Sequence, residues 1–361
     1  MTRALSEVTT IGVGGLPQEW RTATTEAEIV EAVADLDAAG VPVLVLGGGS
    51  NLVVADGGFA GAVVSVANTG IKVESDDMCG GVIVTVGAGE RWDDLVAQAV
   101  ENSWSGIEAL SGIPGSVGAT PVQNVGAYGQ DVAQTIWNVR VYDRVERRVR
   151  TLASAECEFS YRHSLLKSSM ATSPDPSPRY VVLSVSFQLR PTDMSQPLGY
   201  ADLARGLGVA AGERVPLAAA REGVLEQRRL RGMVLDAADY DTWSCGSFFT
   251  NPLLDSTQMA ALRGAAAKRL GHDGPTPPEF AGARGTIKTS AAWLIDKAGF
   301  TKGYGLPGPA SLSTKHTLAV TNRGHASAAD VLALAREVRD GVHDAFGVSL
   351  VNEPVLVGSA L

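Results

Sequence analysis

Cysteine is scarce in this 361-residue sequence: Cys79, Cys157 and Cys245 are the only three, far apart and in no CxxC or Cys/His spacing. That argues against a disulfide framework and against structural zinc, and no metal is expected. Reduced thiols suit a reducing compartment. Long apolar runs are missing too, for no stretch reaches the about 18 residues of a membrane span. Met1 to Glu7 lacks a basic region leading into an apolar one, so no signal peptide is expected either, and the cytoplasm is the expected location. Positive charge is outnumbered, 30 Lys and Arg against 39 Asp and Glu, and it is scattered, which excludes the electrostatic footprint of a nucleic-acid binder. No internal repeat is present. With 45% hydrophobic residues the chain can build two or three domains, each with its own core, around a small-molecule substrate.

The N-terminal half reads as α+β. Thr25 and Glu28 form a capping-box pattern ahead of Ile29, Val30, Val33 and Leu36, a helical spacing stopped by Gly40 and Pro42. Strands are expected at Val43 to Leu46, Leu52 to Val54, Ala62 to Val66, Ile71 to Glu74, Val82 to Val86, Asn138 to Tyr142 and Tyr180 to Leu189, with a helix at Trp92 to Val100. Ser111 to Gly129 carries too many glycines for a regular element and predicts close backbone approach to a ligand. The Ser/Pro-rich Ala171 to Pro178 predicts an exposed loop. From about Arg214 longer helices take over, at Leu217 to Arg231, Ser256 to Leu270, Ala291 to Ala298 and Ala328 to Phe346, with strands at Thr317 to Val320 and Ser349 to Val357. The expected division is residues 15–193, a linker over 194–213, and 214–361.

Gly47-Gly48-Gly49-Ser50-Asn51 leaves a strand and could turn several backbone N–H groups toward one anion. It lacks the Lys and Ser/Thr of a Walker loop. Neither it nor Gly126-Ala127-Tyr128-Gly129 fits the strand, GxGxxG, helix context of a Rossmann fold. A hairpin turn would explain the first loop alone; two such loops together favour one extended ligand such as a dinucleotide.

Joined in order with Gly112-Ile113-Pro114-Gly115-Ser116-Val117-Gly118-Ala119, Gln123-Asn124-Val125, Phe159-Ser160-Tyr161-Arg162, Gly246-Ser247-Phe248-Phe249-Thr250-Asn251-Pro252 and Asn352-Glu353-Pro354, these loops resemble the UDP-N-acetylenolpyruvoylglucosamine reductases over nearly the whole chain. The resemblance implies a FAD-binding domain of the vanillyl-alcohol-oxidase (PCMH) type followed by a smaller α/β substrate-binding domain. It places Gly47, Gly48, Gly49, Ser50 and Asn51 on the FAD pyrophosphate. Gly112, Ile113, Pro114, Gly115, Gly118, Ala119, Gln123, Asn124, Gly126, Ala127 and Tyr128 fall beside the flavin. It also implies UDP-N-acetylglucosamine enolpyruvate as substrate and NADPH as co-substrate.

Reducing an enolpyruvyl ether requires a hydride source, a group that stabilises the enediolate, and a proton donor for the carbanion. Side chains supply no hydride, so a flavin is required. Arg162 suits the carboxylate, because its guanidinium fork pairs bidentately and stays charged; on residue type alone it could equally be a surface arginine at a strand edge. Glu353 alternates with Val351 and Val355, which predicts a carboxylate on an apolar face: an ion pair, or a functional acid. In the family it acts with the arginine on the substrate carboxylate. Ser247 lies in no GxSxG elbow, which disfavours a nucleophile. It could simply sit in a Gly-Ser turn, but the family's proton donor falls on it. Tyr161, Tyr200, Arg231 and Asn251 match substrate-binding positions, Tyr200 the substrate-loop tyrosine of one subgroup. Arg231 stands where many members have lysine before Leu-Pro-Asp, and here Gly232-Met233-Val234-Leu235-Asp236 follows. An FAD oxidase of the same cofactor fold lacks the Ser247 and Glu353 motifs, and a non-catalytic flavin sensor would not need Arg162, Ser247 and Glu353 together.

Overall fold

The computed structural model describes residues 3–77, 80–173 and 175–361. Cys79 lies outside them. The chain forms two compact units. The first comprises residues 1–3, 17–49 and 60–234, and the second 4–16, 50–59 and 235–361.

Two sheets carry the first unit. In the smaller, Pro17–Ala23 and Val43–Leu46 flank Phe59–Val66, and the latter two run parallel with Val43 opposite Ala62. In the larger the order is Arg148–Ala153, Ile136–Asp143, Tyr180–Pro191, Gly81–Gly87, Ile71–Asp77, every neighbour antiparallel. Val82, Val84 and Val86 are wholly buried while Ile83 and Thr85 are not, the period of two that puts one strand face on the core. Helix Trp92–Glu101 covers that face with Trp92, Leu95, Val96 and Ala99. The expected strands and helices of this half are all present. Pro17–Ala23 and Arg148–Ala153 went unpredicted, because neither keeps a clean apolar alternation.

Two expectations need correction. Ala171 to Pro178 is not simply exposed: Ser177 is 1% accessible. Asp175 accepts from Val43 N (3.0 Å) and Ser177 Oγ from Val45 N (2.7 Å), so the segment covers the edge of strand Val43–Leu46. Arg144 then locks it by hydrogen bonds to Asp37 and Asp175. The glycine-rich Ser111 to Gly129 does contain regular structure, a 3-10 turn Val117–Ala119 and a one-turn helix Thr120–Gln123.

Helix Leu217–Leu230 packs within the first unit. Its stripe Leu217, Ala220, Val224 and Arg228 faces the Glu108–Leu110 turn, and Ala220 and Val224 join a cluster with Ala109, Leu198, Leu203, Ala204 and Val215. Arg221 adds a bidentate pair to Asp93, 2.7 and 2.8 Å. The compact units therefore divide between Val234 and Leu235, whereas the sequence places the division at 213/214.

The second unit is built on helices Ser256–Leu270, Ala291–Ala298 and Ala328–Phe346. Asp255 with Gln258, and Ser327 with Asp330, close capping boxes at two of their starts, each cap contributing about 1 kcal/mol. Ile11, Val13 and Val53 join the same core, which explains why two N-terminal pieces belong here. Strand Val355–Val357 pairs parallel with Leu52–Val54. The predicted strand from Ser349 is shorter than expected, since Pro354 has no N–H to donate to a ladder. Among the described residues no helix is long and apolar enough to cross a membrane.

Candidate functional site

In the first unit the two glycine segments lie against each other. A β-carbon on Gly48 would stand 2.5 Å from Gly115 Cα, and one on Gly47 2.3 Å from Ser116 Oγ. One on Gly118 would stand 2.6 Å from Ala88 Cβ. These glycines are required by the protein atoms packed on them, whatever ligand lies beyond. Gln123 and Asn124 are buried. Asn124 has φ +43° and spends its carboxamide on protein, donating to Ser160 O (2.9 Å) and accepting from Ala133 N (3.2 Å). It thereby fastens the turn that presents Tyr161 and Arg162.

That turn is a tight hairpin in which Ser160 and His163 exchange backbone hydrogen bonds of 3.1 Å. Arg162 takes φ +53°, a left-handed conformation that costs a non-glycine residue about 1–3 kcal/mol. Its guanidinium donates to Gly126 O (2.8 Å) and Asn124 O (3.3 Å), so it lies folded over the glycine segment and is no strand-edge surface arginine. Burial pushes the carboxyl of neighbouring Asp131 up, more than backbone hydrogen bonds and the Arg162 charge pull it down.

Tyr128, at φ +50°, stacks edge-on against Tyr200 with ring centroids 5.4 Å apart. Arg231 donates to Tyr128 Oη at 3.2 Å and to Asp202 at 3.3 Å. The structure thus gathers Tyr128, Tyr200 and Arg231 into one cluster and adds Asp202, which sequence reasoning passed over. It also adds Arg228. This side chain is 9% accessible, donates Nη2 to Met233 O (2.6 Å), and has no partner for Nε among the described residues. Burial pushes its guanidinium down to about 10. The signal was available: Arg228 interrupts the apolar stripe of its helix as Glu353 was expected to interrupt a strand.

In the second unit Ser247 and Glu353 come from neighbouring chain segments. Phe249 bridges Asn352, and Glu353 N donates to Phe248 O at 2.9 Å. Gly246, at φ +74°, makes the bend that sets Ser247 apart from buried Phe248 and Phe249. Asn51 joins them: its Nδ2 reaches Glu353 O (3.4 Å) and its own carbonyl accepts from Val355 N (3.0 Å). The expected apolar face around Glu353 is absent, since Val351 is 63% exposed and Glu353 is half-buried ahead of the strand. Asn251 Oδ1 caps helix Ala291–Ala298 by accepting from Ala291 N at 3.0 Å.

A flavin dinucleotide suits the first unit, where a buried guanidinium with an unmatched N–H sits against Gly112. The profile of the FAD binding domain matches residues 17–151, and that of the UDP-N-acetylenolpyruvoylglucosamine reductase C-terminal domain matches 238–357. The reductase of that name from Streptomyces coelicolor is 55% identical over 358 residues, 99% of this chain and 90% of the relative. The one from Thermobifida fusca is 53% identical over 99% of this chain and 97% of its own. The crystal structure of the Thermus caldophilus enzyme superimposes with a TM-score of 0.64 at 25% identity, covering 99% of this chain and 98% of that one. The chain belongs to the UDP-N-acetylenolpyruvoylglucosamine reductase family and is a FAD-dependent oxidoreductase.

Proposed function

We propose that this protein reduces the enolpyruvyl group of UDP-N-acetylglucosamine enolpyruvate to UDP-N-acetylmuramate with NADPH, supplying peptidoglycan precursors in the cytoplasm. FAD, held by the loop from Gly47 to Asn51 and the Gly112 to Tyr128 segment, would supply the hydride chemistry that couples NADPH to the terminal carbon of the enolpyruvyl group. The observation that best supports the reading is the convergence of Ser247, Glu353 and Asn51 through backbone hydrogen bonds, although the three are drawn from distant parts of the sequence.

Arg162 pairs with the substrate carboxylate, where charge accumulates as hydride arrives; its guanidinium is held by Asn124 O and Gly126 O. Glu353 acts on the same carboxylate. Ser247 hands its proton to the carbanion, since a carbanion beside a carboxylate is basic enough to take a hydroxyl proton. Tyr161, Tyr200 and Asn251 hold the substrate, and Arg231 grips phosphate in place of the family lysine. Tyr128, Gly112 and the loop from Gly47 to Asn51 line the cofactor.

The test is to separate the half-reactions. Ser247→Ala should bleach the flavin with NADPH at the normal rate under anaerobic stopped flow, because that step makes no carbanion. Reoxidation by the enolpyruvyl substrate should slow about 10²- to 10⁴-fold. Equal slowing of both steps, or of neither, overturns the assignment.

A further inference from the structure

Among the described residues no carboxylate is hydrogen-bonded to Arg228. Tyr128 and Asp93 favour its charge from a distance, and both oxygens of Asp93 already serve other donors, Arg221 through two bonds and Gly112 N at 2.6 Å. Arg231 adds a second positive charge nearby. Among the described residues the acceptor of the Arg228 guanidinium is Met233 O, a neutral carbonyl. Burying a cation against one carbonyl is unfavourable unless an anion arrives. Gly112 lies against this cation: a β-carbon there would stand 3.4 Å from Arg228 Nε. Gly112 has φ +72° and begins the segment whose glycines pack on the Gly47 loop.

We infer that Arg228 is the electrostatic partner of the bound flavin, raising its reduction potential by stabilising the negative charge that two-electron reduction adds. The inference rests on the placement of the Gly112 to Tyr128 segment beside the flavin. Asp93 and Arg221 are positioning residues in this arrangement: they hold Gly112 and the helix together while leaving the Arg228 charge unneutralised. The role differs from that of Arg162, which answers charge on the substrate.

The experiment measures the potential of the bound flavin by dye equilibration, with FAD in excess so that weakly binding variants remain saturated, and the affinity for sulfite, which adds to flavins whose ring carries nearby positive charge. Arg228→Met should lower the reduced-to-oxidised ratio about 10- to 100-fold at fixed potential, which is about 30–60 mV for a two-electron couple, and should weaken the sulfite adduct. Arg228→Lys keeps charge without the fork and should stay closer to wild type than Arg228→Met; Arg228→Gln removes the charge and decides the matter if Arg228→Met does not fold. FAD affinity is titrated by fluorescence in parallel. Changed affinity with unchanged potential makes Arg228 a packing or pyrophosphate residue and overturns the inference. Unchanged affinity and potential in Arg228→Met overturn the placement of the segment as well. A potential in Arg228→Gln equal to wild type while Arg228→Met is unfolded overturns the electrostatic role.

Discussion

Replacing Asp93 with Asn tests how the helix Leu217–Leu230 is tied to the glycine segment. Asp93 receives three charge-assisted hydrogen bonds, from Arg221 Nη1 (2.7 Å), Arg221 Nη2 (2.8 Å) and Gly112 N (2.6 Å). Gly112 N and Arg221 Nη1 both use Oδ1, so an asparagine with its oxygen there keeps those two bonds without the charge, and its NH₂ faces Arg221 Nη2, whose bond is lost. Charge-assisted bonds contribute about 1.5–3 kcal/mol each in favourable cases, and breaking a buried pair strands its partner. Here the Asp93 and Arg221 side chains are 31% and 18% exposed, and water recovers part of the loss. The net expectation is about 2–3 kcal/mol of stability. Urea unfolding of the flavin-free protein should show a lower midpoint at unchanged slope. Because the anchor of Gly112 is weakened, FAD should also dissociate more readily. The pH dependence carries the same sign. Burial raises the Asp93 carboxyl, but hydrogen bonds from Arg221 and Gly112 N and the charges of Arg221 and Arg228 outweigh it and hold it below the ordinary carboxylate value. Its contribution is therefore present above about pH 4 and lost as pH falls through the depressed value, so Asp93→Asn should flatten that part of the acid limb. An unchanged midpoint and unchanged FAD retention would refute the reasoning.

Two further outcomes follow from packing and burial. Burial pushes the Cys157 thiol up to about 11 and the Cys245 thiol up to about 12, so in a Cys79→Ser background neither should react with a thiol reagent at pH 8 until urea is added; rapid native-state labelling would contradict their burial. Gly58, at φ +82°, would place a β-carbon 1.9 Å from Leu16 O, whereas Gly57 has open space; Gly58→Ala should cost about 2–4 kcal/mol and Gly57→Ala less than about 1, and equal midpoints in urea would contradict the geometry.

Periodicity carried the regular elements well. Helices Ser256–Leu270, Ala291–Ala298 and Ala328–Phe346 begin at Asp, Ser or Ser caps, and each stops at Gly271, Gly299 or Gly347, so their ends are written in local chemistry. Strand Pro17–Ala23 has no such mark: its interior is polar or half-exposed, and pairing with Phe59–Val66 decides its state. The compact units divide at 234/235 and the sequence reading at 213/214 for a related reason. Helix Leu217–Leu230 looks like the helices that follow it, and only its contacts with Glu108–Leu110 and Asp93 assign it to the first unit.

The site residues divide in the same way, between chemistry that a motif displays and chemistry that folding creates. Gly48 and Gly118 were read as glycines kept small for a ligand, yet Gly115 and Ala88 already fill the space a side chain would need. Bulk at Gly48 would therefore disturb FAD binding even if no ligand atom came near it, and such a substitution reports on the scaffold. Asn124 shows the converse: its amide grips Ser160 O and Ala133 N, so its effect on chemistry passes through the Tyr161–Arg162 hairpin. Arg228 is the case a motif cannot display, because a charge at one helix position acquires its meaning from what surrounds it. The stripe of Leu217, Ala220 and Val224 buries that position, and the hydrogen bonds of Asp93 go to Arg221 and Gly112, so among the described residues Arg228 has no carboxylate bonded to it. In a FAD-dependent oxidoreductase the cofactor is an anion that can complete it.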